Sequence, residues 1–310
     1  MSQTYYLAGG YGADSIAKSI DGVNWTPANN NPFSYNLCTS LVWNGTYWLA
    51  GGWGTAASQT TIAKSTDGIN WTPAKNNPFS NNVCNTLAWN GRYWLAGGEG
   101  TTTIAKSIDG VNWTPANNNP FDVNLCFAFA WNGTYWVAGG KGVVASIAKS
   151  LNGITWTRAN NNIPTFTDNF CNALTWTGIY WLAGGGGTAS IAKSDNGINW
   201  TPTANPFSNS VCYSLQYGLA GGFNNTQGGA TIVRSTDNGN TWAPANNNPF
   251  NGNQCLALLW SGSYWLAGGH GDNSINTSTN GNTWTPANNN PFSGKMCLAL
   301  AWNGTEPNSL

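Results

Sequence analysis

Three observations predict an all-β fold. One unit recurs seven times, each unit contains several short strand-like runs bounded by turns, and no segment sustains a helical period. Each unit carries one Cys, a run like Tyr-Trp-Leu-Ala-Gly-Gly, a Ser…Gly…Trp turn and a segment cognate to Asn-Asn-Asn-Pro-Phe, with a period of roughly 41 to 46 residues. Repeats of this length holding four short strands stack their sheets around an axis. The expected architecture is a seven-bladed β-propeller with four antiparallel strands per blade.

The elements follow in order. In the second unit the first strand is read at 37–43, where Leu-Cys-Thr-Ser-Leu-Val-Trp alternates in part. Asn44-Gly45 supplies the positive φ of a hairpin turn. The second strand is 47–52 and the third 61–65; the fourth, 70–74, is stopped by Pro73. Residues 1–310 are expected to form one domain, with blades at 295–304 plus 3–33, then 34–79, 80–121, 122–166, 167–207, 208–250 and 251–292. The chain opens on a second strand, Tyr5-Tyr6-Leu7-Ala8-Gly9-Gly10, and finishes on a spare first strand at 297–305. The expected pairing of these two closes the ring and leaves no bare sheet edge.

Composition narrows the function. Only 7% of residues are charged, against about a quarter in ordinary domains. Eleven Lys and Arg balance eleven Asp and Glu, so no basic field is available for nucleic acid or an anionic membrane. The first ten residues lack the charged and apolar regions of a signal peptide, and no run approaches the about 18 apolar residues of a membrane span. The expectation is a cytoplasmic or intracellular monomer without a cofactor.

The turn motif carries a resemblance. Ser235–Trp242 reads Ser-Thr-Asp-Asn-Gly-Asn-Thr-Trp, which fits Ser-x-Asp-x-Gly-x-x-Trp letter for letter; the other six copies are one residue shorter before the Gly. The chain resembles the Asp-box, or BNR, repeat proteins over essentially its whole length. That group includes sialidases, sortilin-type receptors, photosystem assembly factors and arrays in bacteria and large DNA viruses, so a virion or an infected cell is a further expected setting. The resemblance implies that Asp21, Asp67, Asp109 and Asp237, with Trp25, Trp71, Trp113, Trp156, Trp200, Trp242 and Trp284, are structural and lie away from any catalytic site. The physics of the turn agrees: an acidic side chain two residues after Ser accepts hydrogen bonds from turn amides. Asn152 and Asn280 replace the Asp in two copies, where an amide oxygen serves as acceptor, which argues against a charge-dependent metal site.

Catalytic constellations are thin. A sialidase needs converging Arg residues and a Tyr–Glu pair, but the only Arg are Arg92, Arg158 and Arg234, at three different blade positions, and the only Glu are Glu99 and Glu306. The single His270 permits no His-based metal cluster. The seven Cys (Cys38, Cys84, Cys126, Cys171, Cys212, Cys255 and Cys297) occupy one repeat position and read as small buried residues of the inner strand. Lys18, Lys64, Lys106, Lys149 and Lys193, with Arg234, also share one position. Their stems are expected to cover a blade-face Trp and their heads to reach a neighbouring acidic or carbonyl group. No enzymatic activity is expected.

One position does not repeat. Directly after Ala-Gly-Gly stand Tyr11, Trp53, Glu99, Lys141, Gly186, Phe223 and His270. It reads as the first loop residue past the second strand, at the end of the ring that also carries the Asn-rich segments and the loops at 53–60 and 223–230. The residue after each Cys varies too: Thr39, Asn85, Phe127, Asn172, Tyr213, Leu256 and Leu298. Tyr11, Trp53, Glu99, Lys141, Phe223 and His270 are the candidate binding residues, with aromatic rings as anchors for a macromolecular partner. The alternative partner is a glycan, bound many times over by aromatic rings and the Asn-rich loops. The sixth unit, Ser214–Gly222, lacks the Trp-Asn-Gly-Thr-Tyr-Trp hairpin.

Overall fold

The computed structural model describes residues 4–33, 37–54, 60–79, 83–121, 125–159, 166, 170–203, 205–207, 210–224, 229–250, 252–292 and 294–304. Every regular element among them is a β-strand, and no helix is long and apolar enough to cross a membrane. Strands form five four-stranded antiparallel sheets and one eight-stranded sheet that divides into two further groups of four. Each group of four is called a blade below. Blade 2 shows the pattern: Cys38–Trp43, Trp48–Gly52, Ile62–Ser65 and Thr72–Pro73, paired in that order. The fourth strand is only two residues long, and the Ala74 amide adds one more bond to Ile62 O at 3.0 Å.

Blade 1 is assembled from both ends of the chain. Lys295–Trp302 pairs with Tyr6–Tyr11, in register Tyr6↔Trp302 to Tyr11↔Met296, and Ile16–Ser19 and Thr26–Pro27 follow. The Tyr5 amide donates to Asn303 Oδ1 at 2.6 Å, and the Asn303 amide donates to Tyr5 O at 3.2 Å.

The seams between blades explain the repeated letters. The first Gly of each Ala-Gly-Gly lies against the Cys of the following blade, and a Cβ on Gly9 would stand 2.7 Å from Cys38 Sγ. A Cβ on the second Gly would strike a backbone carbonyl of its own blade and the Phe that ends the preceding Asn-rich segment, as at Gly52 against Leu37 O and Phe33. The seven thiols are free and buried; each Sγ beyond its Gly contact faces its own strand's backbone, as Cys38 does toward Ser40 O. Burial pushes their pKa values well up. Facing aromatics complete the core: Trp48 Nε1 donates to the Tyr5 hydroxyl at 2.7 Å, and Trp94, Trp136 and Trp181 repeat that bond to Tyr47, Tyr93 and Tyr135.

Lys18 lies with its Nζ 3.6 Å from the Tyr5 ring centre and donates to Asp67 O of the next blade at 2.8 Å; Lys64, Lys106, Lys149 and Lys193 do the same. The covered ring is therefore the Tyr and not the expected Trp, because Lys64 pairs with Leu49, and Tyr47, two residues away, shares that face while Trp48 points to the other. Blade 7 carries Thr277 at this position, and there the Tyr264 hydroxyl itself donates to Asp21 O at 2.8 Å.

The turn box works as the sequence suggests. Asp109 Oδ1 accepts from the Val111 and Asn112 amides at 2.8 Å, and Ser107 Oγ accepts from the Gly110 amide at 2.9 Å. Asn152 and Asn280 reproduce the acceptor. Asn196 does so as well in blade 5, a replacement masked in the sequence by Asp195 beside it.

Candidate functional site

The candidate positions form part of a backbone belt. Tyr11, Lys141, Phe223 and His270 lie inside second strands, and Trp53, Glu99 and Gly186 make single β-bridges. They are not loop residues, which corrects the sequence expectation. Each bridges the residue that precedes the Cys of the next blade: Tyr11↔Leu37, Trp53↔Val83, Glu99↔Leu125, Lys141↔Phe170, Gly186↔Val211, Phe223↔Gln254 and His270↔Met296. Within its own blade the same position is also tied: Trp53 N donates to Leu37 O, Glu99 N to Val83 O and His270 N to Gln254 O. Backbone pairing is indifferent to side-chain identity, which is why this position varies among fixed neighbours.

The side chains are presented unequally. Tyr11 and Trp53, on adjacent blades, are 39% and 41% exposed. Glu99 and His270 are exposed, Lys141 and Phe223 half-buried and Gly186 buried. The structure gathers them into local groups, not one cleft. Lys295 Nζ lies 5.2 Å from the Tyr11 ring. Lys141 Nζ lies 4.5 Å from the Phe170 ring, which lies 6.1 Å from Phe127. The long loops centred on 55–59 and 225–228 fall outside the described residues.

Two features of this site escaped sequence reasoning. The residues before each Cys, Phe170 and Met296 among them, are members of the belt; their own variation beside an invariant Cys was the available signal. The residue after each Cys is the extra residue of a β-bulge, since the register slips between Cys38 and Ser40 and at the matching place in the other blades. A bulge turns Thr39 and Asn85 toward the neighbouring blade, where they donate to Cys84 O and Cys126 O.

The Asn-rich segments are committed internally. Asn30 Nδ2 donates to Trp71 O and Asn30 Oδ1 accepts from the Trp71 amide, both at 2.9 Å; Asn76, Asn118, Asn247 and Asn289 pair likewise with Trp113, Trp156, Trp284 and Trp25. The last Asn before Pro accepts from the hydroxyl that precedes the third strand, as Asn119 does from Thr103 at 2.6 Å. Among the described residues no three His, Cys, Asp or Glu side chains group to hold a metal ion. Arg158 is tied to Pro120 O at 2.8 Å, away from Arg92 and Arg234 in other blades.

No family model matches the chain, and no curated protein matches it. Solved structures do. YCF48 bound to D1 peptide is 17% identical with a TM-score of 0.56, covering 80% of this chain and 79% of its own. YCF48 from Cyanidioschyzon merolae is 15% identical with a TM-score of 0.56, covering 84% and 86%. A streptogramin B lyase structure is 14% identical with a TM-score of 0.64, covering 83% and 85%. At these identities the likeness concerns the fold alone, and with the antiparallel four-stranded blades above it makes this chain a β-propeller.

Proposed function

We propose that the chain is a seven-bladed Asp-box propeller, its ring closed where the C-terminal strand joins the N-terminal blade, and that it acts without catalysis as a scaffold for a protein partner. The partner docks on the end of the ring where Tyr11, Trp53, Glu99, Lys141, Phe223 and His270 emerge. One observation carries this reading. The belt fixes the backbone at these positions, and two adjacent blades place Tyr11 and Trp53 there, 39% and 41% exposed. Exposed neighbouring aromatics suit interface anchors. Different side chains on every blade favour one asymmetric partner over repeated small ligands. The peptide-bound YCF48 structure is a case of a propeller holding a peptide.

The glycan alternative rests on aromatic rings together with the Asn-rich segments, and in those segments Asn30, Asn76 and Asn118 donate to the neighbouring blade. The test is a photo-crosslinking residue at position 53 in the source cell, alongside the Tyr11→Ala/Trp53→Ala double variant. A discrete crosslinked protein, lost on Tyr11→Ala and with the melting temperature within about 2 °C of wild type, is the expected result. Saturable binding on a glycan array with no protein crosslink would favour the lectin.

A further inference from the structure

Blade 6 departs from the repeat at the seam it shares with blade 5. Cys38 and Ala50 of blade 2 are twelve positions apart, whereas Cys212 and Ala220 of blade 6 are eight apart. A tight Tyr217-Gly218 turn joins Gln216 directly to Leu219, with Tyr217 at φ 43° in the left-handed region. The packing sets the equivalence. Leu219 lies against Gly281 of blade 7 as Leu49 lies against Gly110 of blade 3, so Gly218 stands where the other blades carry the second-strand Trp.

In blades 2 to 5 that Trp is sandwiched. Its ring centre lies 5.0 to 5.2 Å from a first-strand Trp, and its N–H donates to the Tyr hydroxyl of the preceding blade. Blade 6 supplies neither ring. The Tyr on the blade 5 side is Tyr180, whose ring centre lies 3.9 Å from Lys193 Nζ. Between the two blades lies an open-mouthed cavity of about 220 Å³, lined by Ile179, Tyr180, Leu182 and Tyr217 and by the polar Thr177, Ser235 and Asn238. At its lip Ile179 is 77% exposed, on a hairpin tip where blades 2, 3, 4 and 7 carry Thr46, Arg92, Thr134 and Ser263. The turn box of this blade is also one residue longer, with Asn238 at φ 63°.

We propose that this cavity receives the indole of a Trp side chain carried by a partner peptide. The chain supplies the template itself: four other seams hold an indole in this seat, hydrogen-bonded to the equivalent Tyr. The volume exceeds the about 150 Å³ at which an engineered apolar cavity takes up benzene. A peptide is favoured over a free indole because Ile179 extends apolar surface past the mouth, where flanking residues would rest. The cavity opens among the hairpin tips and turn boxes, at the opposite end of the strands from Tyr11 and Trp53, so this inference is independent of the function proposed above.

Isothermal calorimetry with acetyl-Gly-Trp-Gly-amide tests it, with acetyl-Gly-Leu-Gly-amide and free indole as comparators. The expected result is saturable one-to-one binding of the Trp peptide, weakened about fivefold in Tyr180→Phe by loss of one hydrogen bond. Replacing Tyr217-Gly218 with the Trp43–Trp48 hairpin sequence fills the seat, abolishes binding and raises the melting temperature. Should that replacement fail to fold, Ile179→Arg blocks the mouth with the fold checked by its melt. Absence of saturable binding, equal binding of the Leu peptide, binding of free indole alone, or binding that survives a folded blocking variant overturns the proposal.

Discussion

Gly98→Ala probes the tightest kind of contact in the fold. Gly98 ends the second strand of blade 3, and a Cβ there would stand 2.3 Å from Val83 O and 2.8 Å from Phe79 Cδ1. Atoms in contact sit about 3.5 Å apart, so the carbonyl must retreat by about 1 Å. It is not free to do so, because Val83 O accepts from the Glu99 amide at 3.0 Å, and Phe79 is 1% exposed. Overpacking costs about 1–3 kcal/mol and the weakened hydrogen bond about 1 kcal/mol, for a total of about 2–4 kcal/mol. In a domain of this size that is a fall of about 3–6 °C by differential scanning calorimetry. Gly91→Ala is the comparison: nothing lies within 4 Å of its Cβ, and φ 88° alone costs about 1–2 kcal/mol. Adding Phe79→Leu to Gly98→Ala should recover only the ring's share, since the carbonyl stays. A Gly98→Ala protein that melts within about 2 °C of wild type, or above Gly91→Ala, refutes the argument.

Three further outcomes follow from the same contacts. Asp109→Asn should cost less than about 1 kcal/mol in urea unfolding, because Asn152, Asn196 and Asn280 already serve as acceptors, whereas Asp109→Ala should cost about 2 kcal/mol by orphaning the Val111 and Asn112 amides; equal costs would sink the acceptor role. Hydrogen bonds from Asn112 hold the Asp109 carboxyl well below its usual range, and those from Thr241 hold Asp237 at about 2. A folded pKa below the unfolded value of about 3.9 means stability that is complete above that pH and lost as the pH falls toward 2. The urea midpoint should therefore drop below pH 4, less steeply in Asp109→Asn, and a flat profile would contradict it. Native Cys38 and its equivalents, buried and held as thiols, should react with a disulfide reagent only at the rate of unfolding; fast labelling of the native protein would show that the seams open locally.

Much of the architecture was legible because its causes are local. The Asn44-Gly45 turn, the alternation of Cys38–Trp43 and the Asp109 box each act within a few residues, and seven copies make the period plain. The candidate positions were legible only as variation. That Trp53 is a strand-edge bridge to Val83, and that Thr39 sits on a bulge, depends on where a blade's edge meets its neighbour. Lys18 was assigned an aromatic platform correctly in kind but on the wrong ring, since period-2 reasoning gives a face and not the partner that occupies it.

The sequence by itself determined the strands, the turns, the number of repeats and the position that is free to change, because those depend on backbone propensities and on spacing along the chain. The tertiary structure alone decided what each repeated residue touches. Gly9 meets Cys38, Asn30 meets Trp71 and Trp48 meets Tyr5 across separations of 29, 41 and 43 residues. Those meetings are set by the twist and stacking of neighbouring sheets, a property of packed blades that no single repeat contains.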